Sequence, residues 1–88
     1  MSYRVELDAR ADKQAEKLER ETLKRFQKRF RELAQNPFDP RISKPLTMSA
    51  NRRTSRVGDW RIIYFVDKGR QTVFVTAICH RKPAYDKV

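Results

Sequence analysis

The sequence predicts an α+β domain of order β-α-α-β-β-β, with a helical hairpin packed on one face of a small, mostly antiparallel twisted sheet. Three observations predict it. A short alternating segment comes first, a long stretch of helix-forming residues follows, and three strand-like runs separated only by turns come last. Helices gathered on one face of a sheet are the layer arrangement this order supports. The 88 residues leave room for a single domain, residues 1–88. Its core is modest, because a chain of this size buries only about 60% of the surface it exposes when unfolded.

Tyr3, Val5 and Leu7 alternate with Arg4 and Glu6, the period of a half-buried strand. Asp8 stands where a helix needs its N-cap, and Asp12 falls near the positive end of the helix dipole. Ala9 to Gln35 is dominated by Ala, Lys, Glu, Gln, Arg and Leu, all strong helix formers. Ala11, Ala15 and Leu18 form one apolar row; Leu23, Phe26, Phe30 and Leu33 form a second, rotated from the first. One straight helix would run to about 40 Å at 1.5 Å per residue, more than so small a domain can cover. The sequence therefore predicts two helices with a turn near Glu19-Arg20-Glu21-Thr22.

Asn36-Pro37 ends the second helix, because the residue before a proline leaves the α region. Phe38 is expected to return to the core as a single anchor. Asp39 to Asn51, with Pro40 and Pro45, reads as a connecting loop. Arg52 to Val57 is a polar, basic strand, and Gly58-Asp59 is the turn of a tight hairpin. Trp60 to Val66 is the returning strand, with Trp60, Ile62, Tyr64 and Val66 facing the helices. Lys68-Gly69-Arg70 marks another turn. Gln71 to His80 is the last strand, and its two rows are both apolar or small, which predicts cover on both sides. Pro83 keeps the ladder from continuing.

Lys plus Arg outnumber Asp plus Glu by 21 to 11, a formal net charge of +10 that makes polyanions, nucleic acid first, the leading partner class. A basic, solvated surface is the plainer meaning of the same charge. The single cysteine, Cys79, rules out an internal disulfide, and with the single histidine it cannot complete a four-ligand metal site. No metal or cofactor is expected. No signal-like or membrane-spanning run is present, so the expected location is cytoplasmic, away from the membrane.

The most informative stretch is Arg52 to Tyr64. Arg52, Thr54 and Arg56 share one parity before the turn, and Arg61 can join their face after it. Guanidinium groups gathered on a pleated surface suit a phosphate, because each donates two parallel hydrogen bonds and stays charged. A single such arginine is usually only solvated. Trp60 has the opposite parity to Arg61 and belongs with the core.

The string Arg56-Val57-Gly58-Asp59-Trp60-Arg61-Ile62-Ile63-Tyr64, with His80-Arg81-Lys82-Pro83-Ala84-Tyr85 about fifteen residues later, resembles the RelE/ParE superfamily of bacterial and archaeal toxins. The resemblance covers essentially the whole chain and includes Asn36-Pro37 and Lys44-Pro45-Leu46. It implies the toxin of a type II toxin–antitoxin system. A RelE-like member would be a metal-independent endoribonuclease (an mRNA interferase) that cuts messenger RNA in the ribosomal A site. Ribosomal RNA and a cognate RelB-like antitoxin would be its other partners. Gyrase poisons of the ParE type share the fold, so a non-catalytic gyrase inhibitor is the alternative, and a basic RNA-binding module without chemistry is a third.

In RelE-like toxins the site is a basic residue on the second strand, an arginine on the third, an arginine after the fourth and a C-terminal tyrosine. By resemblance these roles fall on Arg56, Arg61, Arg81 and Tyr85. A further basic residue of the second strand would fall on Thr54, which is not basic; Arg52 or Arg53 stands beside it as a substitute. Cleavage requires a proton taken from the 2′-OH, charge neutralised on the phosphorane-like transition state and a proton given to the leaving 5′-oxygen. Arg61 and Arg81 suit the scissile phosphate, and Arg56 suits the phosphate or the leaving group. Tyr85 is either the base or 2′-OH orienting group, its phenolate favoured by nearby cations, or an aromatic lid. His80 is either a proton donor or a structural residue at a strand end. Lys44 and Lys82, with Arg52 and Arg53, are RNA contacts or solvated cations. The helix cations, Arg29 among them, read as a mostly solvated face.

Overall fold

Asp8 starts the helical layer. In the computed structural model, which describes residues 2–46 and 51–80, its carboxylate accepts the Ala11 N–H at 2.9 Å and caps helix α1, Ala9–Glu16. Helix α2, Arg20–Gln35, follows after a break at residues 17–19. The break comes earlier than the expected turn at Glu19 to Thr22. The row of Ala11, Ala15 and Leu18 is complete at Leu18, and the axis must change before Phe26 and Leu33 can face the same core. At the far end Asn36 is extended, and its side chain accepts the Phe38 N–H at 3.0 Å.

Five strands form one sheet: β1 Arg4–Leu7, β2 Lys44–Pro45, β3 Arg53–Val57, β4 Trp60–Asp67 and β5 Thr72–His80, in the order β1-β5-β4-β3-β2. Strand β1 runs parallel to β5, and the other pairs are antiparallel. The expected order of four strands is corrected by β2, which lies in the segment read as a loop. Pro45 disguises it, yet the next rung, Leu46 N–H to Arg52 C=O at 2.8 Å, is intact. Pairs alternate in an antiparallel ladder, so Pro45 falls where no N–H is required of it.

The β3–β4 hairpin turns through Gly58 and Asp59, with Val57 opposite Trp60. Gly58 has φ of 60° and Asp59 does not share that sign, the pattern of a II′ turn with glycine first. Between β4 and β5 the register shifts: Ile63 faces Ala77 but Tyr64 faces Val75, leaving Thr76 as an extra residue. This bulge changes which side chains point inward. Val73, Val75 and Ile78 join Ile62 and Tyr64 in the core, while Cys79 is exposed on the other face. The expectation of a last strand covered on both sides is therefore wrong, because period 2 fails across a bulge.

The core lies between the helices and one face of the sheet: Ala11, Phe26, Leu33, Val57, Ile62, Tyr64, Val73, Val75 and Ile78 are buried, with Trp60 and Val66 packed against them. Phe38 does not return to it. Pro37 is the buried residue of that turn, and Phe38 is 36% exposed, with the Arg53 guanidinium and the Lys68 ammonium each 5.2 Å from its ring.

Candidate functional site

The hairpin places Arg56 directly opposite Arg61. Both side chains are exposed on the sheet face away from the helices, since their neighbours Ser55, Val57 and Ile62 are buried on the helix side. One outer row crosses three strands as Arg56, Arg61, Cys79, and the next crosses four as Lys44, Thr54, Ile63, Ala77. A cleft of about 610 Å³ opens beside these rows, lined by Arg56, Arg61, Thr54, Lys44, Gly58 and Arg29 together with the 40–46 segment.

Like charges directly opposite on neighbouring strands repel. The described residues supply no carboxylate to Arg56 or Arg61; their ion pairs are Arg4–Glu6, Arg29–Glu32, Arg41–Asp39 and Arg70–Asp67. The Asp39 carboxyl is held below its ordinary range by the hydrogen bonds it accepts from Arg41. Among the described residues nothing occupies the donors of these two guanidinium groups, an arrangement that an anion with several oxygens would stabilise. Beside them the Thr54 hydroxyl oxygen is buried and has no hydrogen-bond partner among the described residues.

Lys44 joins this face, exposed and paired with Thr54. Arg52 is exposed just before β3. Arg53 does not join it. It is opposite Tyr64, on the helix side, where its Nε donates to Ser43 Oγ at 2.7 Å. Ser43 Oγ and the Tyr64 hydroxyl are 2.5 Å apart, and Tyr64 donates to the Pro37 carbonyl at 2.7 Å. This buried relay ties the segment after α2 to the sheet. Burial raises the Tyr64 phenol above its ordinary value of 10.0, with Ser43 and the Arg53 charge opposing.

His80 is also on the other side. It is opposite Trp60, with the rings edge-to-face at 4.6 Å, and Trp60 in turn packs on Phe26. Arg81, Lys82 and Tyr85 lie outside the described residues. Among those described, no three His, Cys, Asp or Glu side chains gather to hold a metal ion. No helix among them is long and apolar enough to cross a membrane.

Arg29 is the cleft residue that the sequence reading placed wrongly. Its side chain is only 21% exposed, and it reaches from α2 to β3 rather than into solvent. The signal was present: Arg29 lies three residues after Phe26 and four before Leu33, on the helical stripe that both define.

The fold is matched closely among solved structures. The toxin–antitoxin complex RelBE2 of Mycobacterium tuberculosis gives a TM-score of 0.81 at 28% identity, covering 92% of this chain and 100% of that one. The archaeal RelE–RelB complex of Pyrococcus horikoshii gives 0.79 at 22% identity, covering 93% and 98%. The intact RelBE complex of E. coli gives 0.79 at 22% identity, covering 90% and 96%. No curated protein matches the chain. Residues 5–85, however, match the family described as the ParE toxin of the type II toxin–antitoxin system parDE. That match spans both helices, all of the described sheet but Arg4 at the start of β1, and the arginine-bearing hairpin, and this chain belongs to the ParE toxin family, within the RelE/ParE superfamily of type II toxins.

Proposed function

We propose that this toxin is a RelE-like endoribonuclease, active on the ribosome, that cleaves messenger RNA in the A site without a metal. The observation that carries the proposal is the Arg56–Arg61 pair, given no carboxylate by the described residues and opening on the cleft. The 2′-oxygen gives up its proton and bonds to the adjacent phosphorus, the bond from phosphorus to the 5′-oxygen breaks, and that oxygen takes a proton. The products are a 2′,3′-cyclic phosphate and a 5′-OH. Arg61 and Arg81 hold the non-bridging oxygens as charge grows on them, and Arg56 holds the phosphate or the leaving oxygen. Tyr85 orients or deprotonates the 2′-OH. Lys44, Arg52 and Lys82 contact RNA at points away from the bond that breaks. Arg53 and His80, on the helix side, are given no part in the chemistry.

Primer extension on a reporter message, translated with and without the protein, tests this. Cuts confined to A-site codons are expected, and none should appear without ribosomes. A message left intact at every protein concentration would defeat the proposal.

The ParE family match favours a second reading, a gyrase inhibitor that acts by protein contact. Inhibition of DNA supercoiling by purified gyrase, with intact messages, is the result that would select it. Under either reading the cell needs a restraint. The similar structures from M. tuberculosis, P. horikoshii and E. coli are toxin–antitoxin complexes, which supports a cognate RelB-like antitoxin here, offering an acidic segment to the basic face. Co-purification with the product of the adjoining reading frame is the expected outcome.

A further inference from the structure

Strand β3 has an unfinished edge. Lys44 pairs with Thr54, and two steps on, a continued β2 would place residue 42 opposite Arg56. The chain turns away instead, and the Ile42 N–H donates back to the Asp39 carbonyl at 3.0 Å. By the alternation of the ladder the Arg56 carbonyl points to this empty side. It is not left bare: Arg29 Nη1 donates to it at 2.6 Å and to Ser55 Oγ at 2.9 Å, while Arg29 Nε donates to Glu32 at 2.8 Å.

Three hydrogen bonds to one planar group fix both its position and its plane. The guanidinium is anchored to α2 through Glu32 and to two successive residues of β3. We propose that Arg29 is a positioning residue of the cleft: it supplies the rung that β2 lacks and so fixes the main chain from which the Arg56 guanidinium reaches a phosphate. The inference rests on the proposed reading that Arg56 contacts RNA. Without the rung, residues 55–57 are an edge segment free to twist, and Arg56 meets its phosphate from a spread of angles. Phosphoryl chemistry is sensitive to that spread, since a misplacement of about 1 Å can cost 10²-fold in rate.

The experiment is a double-mutant cycle of Arg29→Gln and Arg56→Ala, with single-turnover cleavage on ribosomes and thermal melting followed for every variant. Arg29→Gln is expected to slow cleavage by about 10- to 100-fold at temperatures where the protein stays folded. In the Arg56→Ala background it should slow cleavage less than about 2-fold further, because a residue acting through Arg56 has nothing left to position. Losses that multiply, or a wild-type rate in Arg29→Gln, overturn the proposal. Should Arg29→Gln fail to fold, Arg29→Lys takes its place in the cycle, since an ammonium keeps the charge but not the planar fork. Amide exchange at Ser55 and Val57 separates this proposal from the functional one. If the wild-type protein cuts no RNA, the function fails, and faster exchange confined to residues 55–57 in the Arg29 variant still decides the positioning role. Unchanged exchange refutes it.

Discussion

Four arginines surround the β3–β4 hairpin, and the sheet divides them into two kinds. Arg29 and Arg53 lie on the helix side with their guanidinium donors engaged: Arg29 by Glu32, Ser55 and the Arg56 carbonyl, Arg53 by Ser43 and the Phe38 ring. Arg56 and Arg61 lie on the opposite side, facing each other, with no carboxylate among the described residues. The same side chain is a strut in one place and an open hand in the other. What separates them is whether the protein has already used their hydrogen bonds. A satisfied guanidinium stabilises the fold, whereas an uncompensated pair costs stability that only an external anion recovers.

This contrast is easiest to break at Arg61. Arg61→Ala should lower ribosomal cleavage by about 10²- to 10³-fold, as loss of a transition-state donor does. Its stability should stay within about 0.5 kcal/mol of wild type, because the exposed group makes no ion pair among the described residues. A large drop in the melting temperature would show that the outer pair is structural after all. The helix side predicts the reverse pattern. Tyr64→Phe leaves the Pro37 carbonyl without its donor and Ser43 with Arg53 alone, and should cost about 1–3 kcal/mol in urea titrations, with the site residues untouched.

The Tyr64 phenol also sharpens the comparison through pH. Its folded pKa is raised above 10.0, so the unfolded chain loses the proton first. The stability it contributes is complete below pH 10 and falls as pH rises through the folded value. Melts taken from pH 8 to pH 11 should show a shallower alkaline loss in Tyr64→Phe than in wild type; parallel curves would mean the relay is not dry. Next in size, Asp8→Ala removes the α1 cap and should cost about 1 kcal/mol. The smallest effect belongs to Lys44→Ala, which should leave folding within about 0.5 kcal/mol and lower the salt slope for single-stranded RNA by about 0.7.

Local chemistry made much of this readable in the sequence. Asp8 as a cap, Asn36-Pro37 as a stop and Gly58-Asp59 as a turn each act through their own backbone, so one stretch of residues is enough to find them. That Arg61 could share the face of Arg56 was legible from parity, but the register that sets the two directly opposite each other belongs to the folded hairpin. What escaped depended on distant residues. Strand β2 has too few residues to show a period. The Thr76 bulge obeys β4 rather than its own neighbours, and the Arg53–Ser43–Tyr64 relay joins segments far apart in sequence. Arg29 and Arg56 are the same residue type, and only the fold assigns them different work.

The parallel pairing of β1 with β5 has a consequence for how the protein comes into being. Arg4 finds its place beside Thr72 only after the intervening chain exists. At about 5–20 residues per second, a newborn chain waits roughly 3 to 14 s between making the first of these segments and the second. During that interval the two helices have no completed layer to rest on. A molecule whose proposed target is the translating machine therefore cannot assemble its own architecture until the machine that makes it has passed Thr72.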